Sequence, residues 1–423
     1  LEFPPVTTLT ASTSHTFRVL GLVGSAHFMS HIFNLALPPL FPLLVKDLGF
    51  TYIQLGVVMS AYALSASLFT TPVGFLVDRL GGRRVLISGL ALQAVAMLAV
   101  GLTSSYIALM ASFIVAGIAY SVYHSCDYAI ISASIDKGRL GRAFSFHAFT
   151  GNMGSAAAPL VMVALAAFWD WRAAMIAIGA IGLVLAALIA LQGDTLSDME
   201  ADIEAEREKK RAAKEGAPSS EPDGQQSFKQ DLMVLMSPPI LLCFVFYVIS
   251  SIGFGGFRTF SVSSLVELYG TPLATANGAL TGFLVGSSAG ILAGGWLADR
   301  YGARMMTAAA GFLGAAGLIL LAGTVSMPMV LMVGVLSFAG FMRGAVQSTR
   351  DLFVLSVTPG RSSGKVFGFV YSGSLVGAAI MPLLYGWVLD DGNPQAVFWM
   401  TAGFMTLALC TFFGVKRLAA NNS

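Results

Sequence analysis

Twelve apolar runs, each close to the roughly 20 residues that a helix needs to cross a bilayer, constrain this chain more than any other feature. The first six are Phe17–Val45, Gln54–Val77, Val85–Leu102, Tyr106–Ile135, Arg142–Phe168 and Arg172–Leu191. The second six are Ile240–Leu268, Leu273–Ala298, Met305–Gly323, Met327–Val357, Lys365–Leu389 and Gln395–Val415. Between the two sets lies a charged stretch holding Glu200, Glu204, Glu206, Arg207, Lys209, Lys210, Arg211 and Lys214, which reads as a solvated tether. The expected division is a six-helix unit at 1–192, a linker at 193–234 and a second six-helix unit at 235–423. The first run is long, rich in polar residues and followed by no small-residue cleavage pattern, so it reads as a span rather than a leader.

Composition closes off the other classes. The chain has 423 residues, 56% hydrophobic and only 11% charged, with a mean hydropathy of +0.77. A soluble domain carries about a quarter charged residues. The net charge of +2 is spread along the chain, which leaves no basic groove for nucleic acid. No phosphate-binding G-x-x-x-x-G-K-[ST] loop is present, so this chain alone is no ATP-driven pump. No nucleophile and base stand at catalytic spacing either, so no enzyme activity is expected. Cys126, Cys243 and Cys410 all lie in apolar runs without metal-ligand spacing and read as packing residues. Most of the 24 Lys and Arg fall in loops on one face, leaving Lys46 and Arg172 on the other. That bias places both termini and the linker in the cytoplasm.

The two sets of runs are repeats. Gly141-Arg-Ala-Phe-Ser-Phe with Gly154 and Pro159 matches Gly364-Lys-Val-Phe-Gly-Phe with Gly377 and Pro382, at an offset of 223. Gly74-Phe-Leu-Val-Asp78-Arg79-Leu-Gly81 matches Gly295-Trp-Leu-Ala-Asp299-Arg300-Tyr-Gly302, at an offset of 221. A duplicated six-helix unit is the plan of transporters whose site lies at the midplane between halves. The expected fold is therefore an all-α integral membrane protein, with 12 transmembrane helices in two pseudo-symmetric six-helix bundles around a central cavity.

The loop Gly74-x-x-x-Asp78-Arg79-x-Gly81-x-Arg83-Arg84 resembles the signature of the major facilitator superfamily, and Gly295, Asp299, Arg300, Gly302 and Arg304 repeat it in the second half. The resemblance implies a secondary transporter that works by alternating access, with those residues as its gating motif and Asp78 as a latch. A narrower resemblance, to the fosmidomycin-resistance branch, is carried by Ser30-His31-x-x-Asn34, the Pro38-Pro39-Leu-Phe-Pro42 run, Gly117-x-x-x-Ser121-Val-Tyr123-His124 and Gly151-Asn152-x-Gly154-Ser155. Ser125, Cys126 and Asp127 depart from that branch. It implies a bacterial inner-membrane protein that exports its substrate.

Ionisable groups inside a bilayer are costly and point to function. Asp127, Arg258, Arg343, Arg350 and Asp351 sit well within the runs, together with His27, His31, His124 and His147. His31 and Asn34 are i,i+3; His124 and Asp127 are i,i+3; Arg343, Gln347 and Arg350 run i, i+4, i+7, so each set shares a helix face. The 223-residue offset lays Asp127 over Arg350, His124 over Gln347 and Tyr120 over Arg343. The expectation is that Asp127 and Arg350 face each other across the cavity, with His124 tuning Asp127 or relaying its proton. The alternative pairs Arg350 with Asp351 or backbone and leaves Asp127 to bond neighbouring helices. The candidate site is His31, Asn34, Tyr120, Tyr123, His124, Asp127, Arg258, Arg343, Gln347, Arg350 and Asp351. His27 and His147 suit packing as readily as a site. His27, His31 and His124 lack a carboxylate or Cys at ligand spacing, so neither a metal nor any other cofactor is expected.

The arginines outnumber the carboxylates in the spans, which favours an anionic substrate. The expected function is proton-coupled export of a small organic anion or amphiphilic drug-like compound, by a protein acting as a monomer. Two alternatives stand beside it: an uptake symporter for a carboxylate nutrient, and a non-transporting membrane sensor or assembly protein. The glycine-rich stretches Gly151–Gly154, Gly286–Gly295 and Gly373–Gly377 suit close helix contacts, and Pro38, Pro39 and Pro42 should kink the first span.

Overall fold

A computed structural model describes residues 13–135, 139–192, 195, 235–301, 305–356 and 363–421; within these, side chains are described except at 13, 297–299, 301, 305–308, 348–356, 363–365, 367, 412 and 415–421. The expected linker lies almost wholly outside the described residues.

The first apolar run forms α1 (Thr13–Asn34), a 3-10 turn (Pro38–Leu40) and α2 (Phe41–Leu48). The break is where the prolines predict it, because Pro38 and Pro39 cannot donate the backbone bonds that would continue α1. Next come α3 (Tyr52–Leu80) and α4 (Gly82–Leu102). Thr51 opens α3 with a reciprocal capping box to Gln54. Gly81, at φ +84°, turns the chain between α3 and α4 in a conformation that a side chain would strain.

The fourth run, expected as one helix, is two: α5 (Tyr106–Tyr120) and α6 (Val122–Ser134). At the junction the Ser121 hydroxyl donates to the Ile118 carbonyl at 2.6 Å and competes with the main-chain ladder. The first half ends with α7 (Leu140–Phe168) and α8 (Trp171–Leu191). The second half comprises α9 (Pro238–Tyr269), α10 (Leu273–Tyr301), α11 (Met305–Thr324), α12 (Met329–Ser356), α13 (Ser363–Asp390) and α14 (Ala396–Asn421). Among the described residues, ten helices are long and apolar enough to cross a membrane, and the remaining two spans show shorter apolar helices at Ala309–Thr324 and Ala396–Thr411.

The spans pack in the following pairs. In the first half α4 packs on α8, α5 and α6, α1 on α7, and α3 on α5. In the second, α10 packs on α12, α9 on α13 and α14, and α11 on α12 and α14. The repeat is visible at atomic level. A methyl group on Gly154 would strike the Phe28 carbonyl of α1, and one on its counterpart Gly377 would strike the Val248 carbonyl of α9. The tightest pairing is α10 with α12: added methyls at Gly286, Gly290 and Gly294 would meet the carbonyls of Ser337, Phe341 and Ala345. Small residues allow that approach.

The halves meet through α3 with α13 and α7 with α10. At the face opposite the linker, Tyr52 and Ile53 donate their backbone N–H groups to the Asp390 carboxylate at 2.7 and 2.8 Å, and the Tyr52 hydroxyl donates to Glu267 at 2.9 Å. Farther in, the Ser60 hydroxyl donates to the Ala379 carbonyl at 2.8 Å. Asp390 thus caps the start of α3 from the other bundle, where otherwise unmatched N–H groups and the helix dipole favour an anion. Replacing Asp390 with Ala should weaken closure on this face by about 1–2 kcal/mol, a shift of roughly 5- to 30-fold toward the state open there. Spin labels at Phe50 and Asn393 would report it as a longer-distance population; an unchanged distance distribution would show that the cap does not hold the face shut.

Candidate functional site

The site grows from three helices of the first bundle. On α1, His27 and His31 are one turn apart and Asn34 follows on the same side; α6 brings His124 and Asp127; α7 brings His147 and Ser155. Gly151 on α7 makes their convergence feasible. A methyl there would sit 2.5 Å from His27 Nε2 and 2.9 Å from His31 Nε2.

Asp127 is fully buried. Its Oδ2 lies 2.8 Å from His147 Nε2 and 3.2 Å from His27 Nδ1. The His27 and His147 rings stack with centroids 3.7 Å apart, and the His31 and His124 rings lie edge-on to His27 at 4.7 and 5.4 Å. His31 Nδ1 pairs with the Ser155 hydroxyl at 2.8 Å. Two buried polar atoms of the cluster, His31 Nε2 and Asp127 Oδ1, have no hydrogen-bond partner among the described residues. A carboxylate enclosed by imidazoles can exchange protons or hold a cation.

A second network crosses to the other bundle. Arg258 on α9 donates to Asn34 Oδ1 at 2.8 Å, and Asn34 Nδ2 donates to the Tyr62 hydroxyl at 3.3 Å. Gln93 Nε2 also donates to the Tyr62 hydroxyl, at 3.3 Å, while the Tyr123 hydroxyl donates to Gln93 Oε1 at 2.8 Å. Tyr120 adjoins this network, its ring centroid 5.7 Å from Tyr62, 6.0 Å from Tyr123 and 6.4 Å from both His31 and His124. Arg258 is half-buried and makes no ion pair with a carboxylate among the described residues.

Arg343 lies apart, inside the second bundle. It donates to the Ser287 hydroxyl at 3.1 Å, sits 3.6 Å above the Phe254 ring, and lines a small cavity with Gln347, Ser250 and Phe312.

The structure thus joins His31, Asn34, Tyr120, Tyr123, His124, Asp127 and Arg258 in one region and leaves Arg343 and Gln347 in another. The side chains of Arg350 and Asp351 lie outside the described residues, and with them the expected pairing of Arg350 to Asp127. The described partners of Asp127 are His147 and His27, not its helix neighbour His124. Asp127 turns into the packing against α1 and α7, whereas His124 is exposed and stacks on Tyr128 at 6.3 Å. Sequence reading missed Gln93 and Tyr62. Gln93 was visible as a lone amide inside an apolar run, while nothing marked Tyr62.

Of the motif residues, Arg83 donates to the Ala190 carbonyl at 3.1 Å in the last turn of α8, where a cation suits the dipole. Gly74 has open space beside it, and Asp78 and Arg79 are exposed. Gly295 lies on α10, and Arg300 lies 5.5 Å from the Trp296 ring. The Asp299 side chain, Gly302 and Arg304 lie outside the described residues.

A family model described as Major Facilitator Superfamily matches residues 23–276 and 243–422. The fosmidomycin resistance protein of Escherichia coli (strain K12) is 24% identical over 420 residues, covering 97% of this chain and 96% of that protein. The cephamycin export protein CmcT of Amycolatopsis lactamdurans is 28% identical over 182 residues, covering 43% of this chain and 37% of its own. Among solved structures, a bacterial homologue of the human lysosomal transporter Spinster, inward-facing and occupied, superposes with a TM-score of 0.75 at 15% identity, covering 96% of this chain and 98% of that one.

Proposed function

Because this chain belongs to the Major Facilitator Superfamily, we propose that it exports a small organic anion across the bacterial inner membrane in exchange for protons. It is a multi-pass membrane transporter and not an enzyme. The single observation that carries the anionic substrate is Arg258, a half-buried guanidinium at the seam of the bundles, bonded to Asn34 and without a carboxylate partner among the described residues. A cation held in a low-dielectric interior favours a ligand of opposite charge, and guanidinium pairs bidentately with carboxylate or phosphonate. Tyr62 and Tyr120 supply ring surface beside it.

The coupling group in this reading is Asp127 with His27 and His147, in the same bundle as Asn34 and close enough for substrate and proton to influence one another. The linker face is taken as cytoplasmic, as its Lys and Arg content favours. Asp390 and Glu267 hold the opposite face together, and in this reading the exporter loads from the linker side while that face is shut. Similarity to a resistance protein and to an export protein supports the same direction.

Reconstituted liposomes with the membrane potential clamped test this. A panel of radiolabelled organic phosphonates and carboxylates is added outside. Antiport predicts accumulation of a panel member several-fold above its outside level when the interior is acid, because protons leave as the anion enters. Accumulation in alkaline-interior liposomes instead would establish symport. Equilibration indifferent to the gradient would overturn proton coupling, and no movement of any member would overturn transport of these anions.

A further inference from the structure

We infer that His27, His124 and His147 form a binding site for a divalent transition metal ion, with the Asp127 carboxylate behind it. The inference stands on the geometry of the first bundle and uses neither the substrate nor the direction of transport; it draws on the imidazoles of the proposed coupling group, so a bound ion competes with their protonation.

The three residues come from α1, α6 and α7. Each offers a ring nitrogen, and these nitrogens lie within 4.8 Å of one another. A tetrahedral zinc site with Zn–N near 2.0–2.1 Å needs its nitrogens about 3.3 Å apart, so the rings must close by about 1.5 Å. His124 can supply that movement. It is exposed, whereas His27 and His147 are buried. It also stands at the open side of the cluster, which provides the path by which an ion arrives.

The surroundings fit a metal site. Asp127 approaches one nitrogen of His27 and one of His147, which leaves the other nitrogen of each imidazole to bind an ion. A carboxylate on the far nitrogen of a ligating imidazole fixes its tautomer and raises its basicity, the usual second tier of a metal site. Asp127 Oδ1 is buried without a partner among the described residues, so the carboxylate keeps a free acceptor while Oδ2 faces the two imidazoles. A set of three imidazoles selects zinc, cobalt, nickel or copper, since magnesium and calcium require an oxygen shell that this cluster lacks. All three ligands belong to one bundle, so the site survives the rocking of one half against the other.

Cobalt(II) is the probe, because its ligand-field spectrum reports coordination. Purified, tag-free, full-length transporter in detergent is titrated with Co²⁺ and then with Zn²⁺. The expected result is one Co²⁺ per chain with a four-coordinate, nitrogen-rich spectrum that zinc abolishes. His124→Gln should weaken binding at least tenfold, and the exposure of His124 lets that variant fold. Zinc should raise the Tm of the wild type and not that of His124→Gln. A His27→Gln/His147→Gln variant should bind no ion at this site, and its melting curve without metal reports whether it has folded. Absence of stoichiometric binding by the wild type would overturn the inference. So would a spectrum and affinity unchanged in His124→Gln, which would place the ion elsewhere.

Discussion

Replacing Arg258 with Met is expected to weaken anion binding by about 2–4 kcal/mol, roughly 30- to 900-fold. The guanidinium donates to Asn34 at 2.8 Å and has no carboxylate partner among the described residues, so its remaining donors are free for a ligand as far as those residues go. Its removal deletes the charge that favours an anion in a low-dielectric site and leaves Asn34 Oδ1 without its donor. Arg258→Lys should recover only part of the loss, because an ammonium keeps the charge but not the planar fork. The apo protein should not suffer in parallel. A half-buried cation without a counter-charge carries part of a desolvation penalty, so the Met variant should melt at the wild-type temperature or above it. The Tm without substrate checks the second half of this expectation, and the substrate-induced shift in Tm with KM for transport checks the first. Wild-type KM in Arg258→Met would remove the basis for an anionic substrate.

Replacing Gly290 with Ala should destabilise the second bundle by about 1–3 kcal/mol, and Gly290→Val by more. The added carbon has no room: it would meet the Phe341 carbonyl of α12, and Gly286 and Gly294 make equivalent approaches one turn to either side. Backbone cannot rotate aside as a side chain does, so α10 and α12 must separate along the whole contact and lose dispersion energy at every turn. Gly278, also on α10, has nothing within 4 Å of its would-be Cβ. Gly278→Ala should therefore stay within about 0.5 kcal/mol of the wild type. Thermal unfolding in detergent distinguishes the two positions. An equal effect at 278 and 290 would mean that helix propensity, and not close approach, is being measured.

Much of the architecture was legible because its causes are local. In a bilayer each spanning segment must satisfy its own backbone hydrogen bonds, so the apolar runs became helices wherever they were long enough. Pro38 and Pro39 broke the first span for the same reason, by removing donors. The fourth run was legible only in part: hydropathy continues through Ser121, but a hydroxyl bonded back to Ile118 divides it into two helices.

The site followed a different rule. Spacing alone put His31 with Asn34 and His124 with Asp127, and the repeat offset pointed Asp127 across the cavity. Spacing says which residues share a helix face, not toward which neighbour that face is turned. His27 and His147, equally suited to packing on sequence grounds, are the residues that reach Asp127, and Gln93 with Tyr62 completes a path to Arg258 that no spacing connects.

From its amino-acid order alone, then, this protein had its spans, its duplication and its inventory of buried charge. Which of those charges touch was decided by the tertiary structure. Helix rotation and separation are set by contacts between distant residues, such as Gly154 against the Phe28 carbonyl and Gly151 beneath two histidines. Those contacts set α1 against α7 so that His27 and His147 meet the Asp127 carboxylate of α6, with His31 beside them and the exposed His124 at the edge.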